Sequence, residues 1–466
     1  MVDDRSVLAN RTLADDIRDW DNTHLFHPWE SMGTAAPDRL IAAHGDGIYL
    51  VDAEGRKFID GPGGMWNVQL GYGNREMADA IATQAMSLPY QSPWTFASEP
   101  SALLAKKLAD IAPGDLNTVF FTTGGSTAND SALRFVQFYN NLKGRPEKKI
   151  ILSREKAYHG STYLAATVSG KERDKGFLDT ERRLVRFLPN VNPYVRPRGM
   201  TIEDWCDKKV ADLERTILDA GPDKVAAFIA EPILASGGVI VPPAGYHKRA
   251  IDVCRKYEVL YISDEVVTAF GRLGHWFASE DVFEIVPDII VCAKGMTSGY
   301  LPLGAMVVSD RLLDDIRDEG RAQILFANGY TNSAHPVCCA AALKTIEIIE
   351  REDILGHVRE VAPQFQSRLQ TLARHDIIGD ARGIGLLGCL EGDAGKNARS
   401  EEERLRIDKD FGACMDAACE ARGLLVRPII NMCVFSPPLI ITSEQIETLF
   451  DILDDAIVEV QQTLME

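Results

Sequence analysis

Between residues 119 and 308 the chain repeats one pattern, a short and largely apolar segment followed by a stretch with helical spacing. The apolar segments are Val119–Phe121, Ile150–Leu152, Val225–Ala230, Val259–Ile262, Asp288–Ala293 and Leu303–Val308. Runs that are apolar on successive residues suit strands covered on both faces, and alternation with helices is how a largely parallel sheet is built. The pattern therefore predicts a large α/β domain.

Helical spacing begins upstream, with Met77, Ile81, Ala85 and Leu88, then Leu104, Leu108 and Ile111. Before it, residues 46–60 alternate around the turn Asp52–Gly55, which predicts a hairpin. At the far end, Thr442 to Gln445 has the form of a capping box, and Ile446, Leu449, Phe450, Leu453, Ile457 and Val460 fall on one helical face. With 466 residues the chain is longer than one growing core supports. We expect residues 76–335 to form the large domain, with 1–75 and 336–466 contributing to a smaller α+β domain.

Bulk properties narrow the function. A formal net charge of −18 repels nucleic acid and anionic membranes, so neither is an expected partner. No apolar run approaches the roughly 20 residues needed to cross a bilayer, and the acidic start Met1 to Val7 lacks the basic and apolar parts of a secretory signal. Nine scattered cysteines without a C-x-x-C pair read as reduced thiols of a cytoplasmic protein.

Three features of the large domain fit one chemistry. Thr122-Thr-Gly-Gly-Ser-Thr-Ala-Asn-Asp130 follows an apolar strand and opens a helix, so its backbone N–H groups and the helix dipole suit a phosphate, with Gly125 and Ser126 as candidate contacts. A plain helix cap has the same appearance. Asp264 ends a strand, where open α/β sheets bind ligands, and its carboxylate could hold a proton on a pyridine nitrogen or simply cap the next helix. Lys294 follows the strand Asp288–Ala293, and desolvation there would favour a neutral, nucleophilic amine; a solvated surface lysine is the other reading. Gly295 beside it would leave room for a ring. Phosphate turn, carboxylate and lysine, in that order in one α/β domain, are the parts a pyridoxal-5′-phosphate (PLP) site needs. Tyr158 and His159, just beyond another strand, add an aromatic face for the ring. Metalloprotease, P-loop and nucleophile-elbow motifs do not occur, and the histidines lack metal-site spacing.

Beyond these residues the sequence resembles the class III, fold type I aminotransferases, and the ω-transaminases in particular, over nearly its whole length. The likeness is carried by His27-Pro28, the stretch Gly47 to Gly61, Leu70-Gly-Tyr-Gly73, Glu231-Pro232, Asp264 to Gly274, Ala293-Lys-Gly295, Gly329-Tyr-Thr331 and His335-Pro336. It implies a large domain with a mostly parallel seven-stranded sheet, a smaller α+β domain drawn from both termini, and PLP as cofactor. It further implies that Lys294 forms the Schiff base, Asp264 pairs with the ring nitrogen, Tyr158 stacks on one ring face and Val266 lies on the other. Gly125 and Ser126 would hold the phosphate with Thr331 of a neighbouring subunit, so a homodimer with shared sites is implied, and a tetramer is open. His159 and Glu231 would support the cofactor region, Trp66 would wall the substrate pocket, and Arg427 would bind a keto acid's carboxylate. Gly124 and Thr127 stand where relatives usually carry Ser and Glu, and Ile429-Ile430-Asn431 replaces a common Gly-Asp pair.

The expected reaction is transfer of an amino group from an amine or ω-amino acid to a keto acid such as pyruvate, in a ping-pong cycle. Trp66, Tyr90 and Trp94 offer aromatic surface for aryl or alkyl amines. Decarboxylation or amino-group migration on the same scaffold, and a non-catalytic PLP-binding protein, are the rival readings.

Overall fold

Three strands, β1 (Ala42–Asp46), β2 (Tyr49–Asp52) and β3 (Lys57–Asp60), open the sheet structure of the computed structural model, which describes residues 12–31, 36, 38–318 and 323–465. The predicted hairpin is β2–β3, antiparallel with Tyr49 opposite Ile59. Its turn is held by Asp52, whose Oδ1 accepts the N–H groups of Glu54 (3.1 Å) and Arg56 (2.8 Å) while Oδ2 accepts from Arg56 Nε at 2.7 Å. A short carboxylate closing on its own following backbone is the reason aspartate favours turns.

The large sheet consists of β4 (Leu116–Thr122), β5 (Ile150–Arg154), β6 (Val185–Leu188), β7 (Val225–Ala230), β8 (Leu260–Asp264), β9 (Ile289–Cys292) and β10 (Gly304–Ser309), in the order β4-β10-β9-β8-β7-β5-β6. Only β10 pairs antiparallel to its neighbours; β9-β8-β7-β5-β6 is a continuous parallel run. The apolar strands are indeed covered on both sides. Ile151, Ile229 and Ile262 pack on one face against Ala128, Ala132 and Val136 of the helix Gly125–Leu142. Their neighbours in sequence, Leu152, Phe228 and Tyr261, face the opposite layer with Leu213, Ile217 and Ile251. Side chains alternate across a strand, so a strand with helices on both faces must be apolar at every position.

Towards the C-terminus come β11 (Ile378–Ile384), β12 (Leu387–Gly392), β13 (Leu424–Leu425), β14 (Pro428–Ile429) and β15 (Met432–Phe435). Four of them form an antiparallel sheet, β11-β12-β15-β14, while β13 joins the N-terminal sheet by running parallel to β3, with Leu424 opposite Ile59. The terminal helix Ser443–Met465 has the expected start: Thr442 N–H donates to Gln445 Oε1 (3.0 Å) and Gln445 N–H to Thr442 Oγ1 (3.2 Å). Its apolar face, from Ile446 to Val460, is buried in a core shared with Phe365 and Leu369. Two features escaped the sequence reading. The edge strand β6 carries Arg186 at its second position, which breaks the apolar run, and the reversal of β10 leaves no mark on composition.

Candidate active site

Each residue proposed for the cofactor, Thr331 excepted, sits just past the carboxyl end of a strand of the large sheet. Gly125 and Ser126 follow β4, Tyr158 and His159 follow β5, Glu231 follows β7, Asp264 ends β8 with Val266 beyond it, and Lys294 follows β9. Chain direction alone gathers them, because parallel strands present all their carboxyl ends on one edge. All of them line a single cavity of about 1580 Å³, together with Trp66 and Arg427.

The Asp264 carboxylate is buried and tightly held. Its Oδ2 accepts from Asn129 Nδ2 at 2.8 Å and lies 2.7 Å from His159 Nδ1, and its Oδ1 accepts the Val266 N–H at 3.1 Å. No helix follows directly, so the helix-cap reading of Asp264 does not describe it. Asn129 went unnoticed in sequence. It lies in the first turns of the helix Gly125–Leu142, where a buried polar residue among Ala128, Ala132 and Leu133 is the signal that could have found it.

Lys294 adopts a left-handed backbone, φ 44°, a conformation unusual for a residue with a side chain. Its ammonium lies 4.9 Å from the centroid of the Trp66 ring. Burial pulls its pKa down to about 8, against the opposing pull of Asp264 and Glu231. An amine so tuned is neutral in an appreciable fraction of molecules near neutral pH, which a nucleophile or base requires. The space that Gly295 leaves is not held open for a ring: a Cβ there would come within 2.0 Å of Gln69 Nε2, so this glycine makes room for a protein side chain.

At the opposite side the helix Gly125–Leu142 begins without any side-chain cap, leaving its first N–H groups for another acceptor. A Cβ on Gly125 would touch both methyl carbons of Val266 at 3.0 Å, so glycine permits that close approach. Tyr158 is fixed by its own N–H, which donates to Glu231 Oε1 (3.0 Å), and its hydroxyl pairs with Ser161 Oγ at 2.9 Å. Burial raises the pKa of Glu231, and its other oxygen accepts the Ala235 N–H at 3.1 Å.

Arg427 reaches the cavity from the loop between β13 and β14. Its guanidinium stands over the rings of Trp29 (5.5 Å) and Trp66 (5.9 Å) and contacts Met65 Sδ, and burial lowers its pKa. Thr331 lies outside this cavity with its side chain exposed, and its carbonyl accepts from the Tyr90 hydroxyl at 2.9 Å. Of the three early aromatic residues expected near the substrate, Trp66 alone lines the cavity of its own chain; Trp94 is 93% exposed.

A sequence model of the class III aminotransferases matches residues 33–457. The chain belongs to this family. Over 431 residues the aminotransferase is 37% identical to gamma-aminobutyrate transaminase 1 of Oryza sativa, covering 92% of this chain and 83% of that protein. With the putrescine–pyruvate aminotransferase of Pseudomonas aeruginosa it shares 38% identity over 415 residues, 88% of each chain. Among solved structures, the ω-transaminase of Pseudomonas jessenii in complex with PMP superimposes with a TM-score of 0.91 at 32% identity, covering 96% of this chain and 99% of that one. A transaminase from the marine bacterium Virgibacillus gives 0.88 at 34% identity, over 96% and 100%. The fold is therefore that of the fold type I PLP enzymes, and the aminotransferase is PLP-dependent, acting on small-molecule amines and keto acids.

The residues present fit that cofactor. An uncapped helix start offers donors to a phosphate, a buried carboxylate is braced by an amide and an imidazole, and the Lys294 amine, with no ion-pair partner among the described residues, faces the same cavity. Asn129 Oδ1 and His159 Nε2 are buried without a hydrogen-bond partner. Among the described residues no helix is long and apolar enough to cross a membrane.

Proposed function

We propose that Lys294 carries PLP and shuttles the proton, that Asp264 holds the ring nitrogen, and that the amino group passes from an amine or ω-amino acid to a keto acid such as pyruvate. The observation that carries this reading is the meeting of the Lys294 amine and the braced Asp264 carboxylate at the ends of adjacent strands of one sheet. PLP, when bound, supplies an electron-withdrawing ring that stabilises negative charge on the carbon bearing the amino group. Asp264, with no room to move between Asn129, His159 and the Val266 N–H, would keep a proton on the ring nitrogen by placing a fixed negative charge there. Gly125 and Ser126 would hold the phosphate, Tyr158 and Val266 would bracket the ring, and Glu231 and His159 would hold Tyr158 and Asp264 in place. Lys294 would take the proton from the substrate carbon and return it to the cofactor's C4′, on the far side of the shared nitrogen, acting as base and then as acid. Arg427 would bind the keto acid's carboxylate by paired N–H donors, with Trp66 as the pocket wall.

The similarity to a gamma-aminobutyrate transaminase and a putrescine–pyruvate aminotransferase supports an ω-amine or ω-amino acid donor. A homodimer completed by Thr331 from the second subunit, assembling further or not, is supported by large apolar side chains on the surface, among them Trp94 and Phe96, that another chain would cover. Nine unpaired cysteines suit the reducing cytoplasm. Borohydride reduction of the holoenzyme followed by peptide mapping tests the assignment: a pyridoxyl tag on Lys294 is expected, and a tag on any other lysine, or none, overturns it.

A further inference from the structure

The cavity contains a second partly buried lysine that the chemistry above does not use. Lys171 follows the short helix Tyr163–Val168, and its stem is anchored because Gly170 exchanges backbone hydrogen bonds with the strand-end loop: its N–H donates to Ala157 O (2.8 Å) and its carbonyl accepts from Lys156 N–H (3.0 Å). The ammonium crosses to the loop after β7, where it donates to Ser236 Oγ, and it stands 5.6 Å from the Tyr158 ring centroid. An ammonium has three protons to donate, and Ser236 takes one.

No carboxylate among the described residues pairs with it. The two acids whose fields it feels are engaged elsewhere: Asp174 accepts from Arg173 Nε at 2.9 Å, and Glu231 accepts the N–H groups of Tyr158 and Ala235. Arg427, also without a carboxylate partner, is close enough for the two cations to repel. Two part-buried cations left unpaired in one half of a cavity are costly unless an anion joins them. The phosphate donors lie at the uncapped start of the helix Gly125–Leu142, so these cations are free for substrate.

We propose that Lys171 is a second carboxylate anchor beside Arg427, fitting the substrate half of the site to a compound with a carboxylate at each end, a dicarboxylic keto acid or the amino acid made from it. The inference rests on the reading of the site given above. The groups facing Lys171 are Arg173 and Asp174 on its own segment, Tyr158, Glu231, Arg427 and, across the cavity, Lys294. Burial brings its pKa down to about 8, so the anchor should be charged below that pH and lose its proton above it.

The test is calorimetric binding of glutarate and of butyrate, a diacid and a monoacid that cannot react, to the holoenzyme and its Lys171→Met and Lys171→Arg variants. A charge-assisted hydrogen bond contributes roughly ten- to a hundredfold in affinity. The native enzyme is expected to prefer glutarate by about that factor below pH 8, Lys171→Met to lose the preference, and Lys171→Arg to keep most of it. In turnover, Lys171→Met should raise KM for a dicarboxylic keto acid more than for pyruvate, with kcat for the two changing in parallel. An unchanged glutarate-to-butyrate ratio in Lys171→Met, or equal weakening of both acids, overturns the proposal. Failure of every amine to change the cofactor's absorbance would instead overturn the transaminase reading, and the binding ratio would still report on Lys171.

Discussion

The two halves of the cavity are built on opposite principles. On the sheet side, Asp264 spends its oxygens on an amide, an imidazole and a backbone N–H, and Tyr158 is tied to Glu231 through its backbone. On the outer side, Lys171 and Arg427 carry charge that no described carboxylate answers, resting on a hydroxyl and on aromatic faces. A group that must meet the same partner in every turnover gains from being fixed in advance. One that must meet an amine in one half-reaction and an acid in the next is better left with its hydrogen-bonding capacity unspent.

That contrast can be broken most severely on the fixed side. Asp264→Asn preserves shape and can still accept the Val266 N–H, yet it removes the charge; we expect kcat to fall by about 10²–10³-fold with both half-reactions affected, as stopped-flow absorbance of the cofactor would record. A loss below tenfold would show that the carboxylate's charge is not what the site uses.

On the outer side the effect should be smaller and selective. Arg427→Ala is expected to raise KM for pyruvate by roughly ten- to a hundredfold, the worth of a charge-assisted hydrogen bond, while KM for an uncharged aryl amine rises less. Steady-state kinetics with each substrate varied in turn measures this, and equal increases for both would place the arginine in a purely structural role.

The mildest expected effect concerns the support behind the fixed half. His247 is buried between the Tyr261 hydroxyl (2.7 Å) and the Pro232 carbonyl (2.9 Å), and burial depresses its pKa to about 3. Its unfolded-state pKa is near 6.5, so between those values the unfolded chain binds a proton that the folded one refuses. Stability from this group is therefore intact above about pH 6.5 and lost progressively as pH falls towards 3. Urea titrations at pH 7 and pH 5 should show the native enzyme weakened at the lower pH by more than a His247→Gln variant; an equal shift in both would clear His247 of that role.

How much of this was legible in the sequence followed from where each signal is written. Strands that must be apolar on both faces announce themselves, so β7, β8 and β9 were readable, and with them Asp264 and Lys294 at their ends. The half-exposed edge strand β6 has no such obligation, and Arg186 hid it. Asn129 and Lys171 carry no periodicity. Their meaning lies in what they face across the sheet edge, which linear spacing does not encode. Tyr90 and Trp94 do not line the cavity of their own chain, and aromatic character alone says nothing of direction.

The pairing of β13 with β3 has one more consequence. Met65 and Trp66 lie just beyond β3 and Arg427 just beyond β13, so the wall facing the substrate joins positions more than 350 residues apart in the chain. During translation the early hairpin must wait, with one edge unsatisfied, until Leu424 and Leu425 have left the ribosome. A nascent chain stalled before residue 424 would hold every strand of the large sheet but only part of that wall, so the frame for the chemistry is made before the surface that selects what enters it.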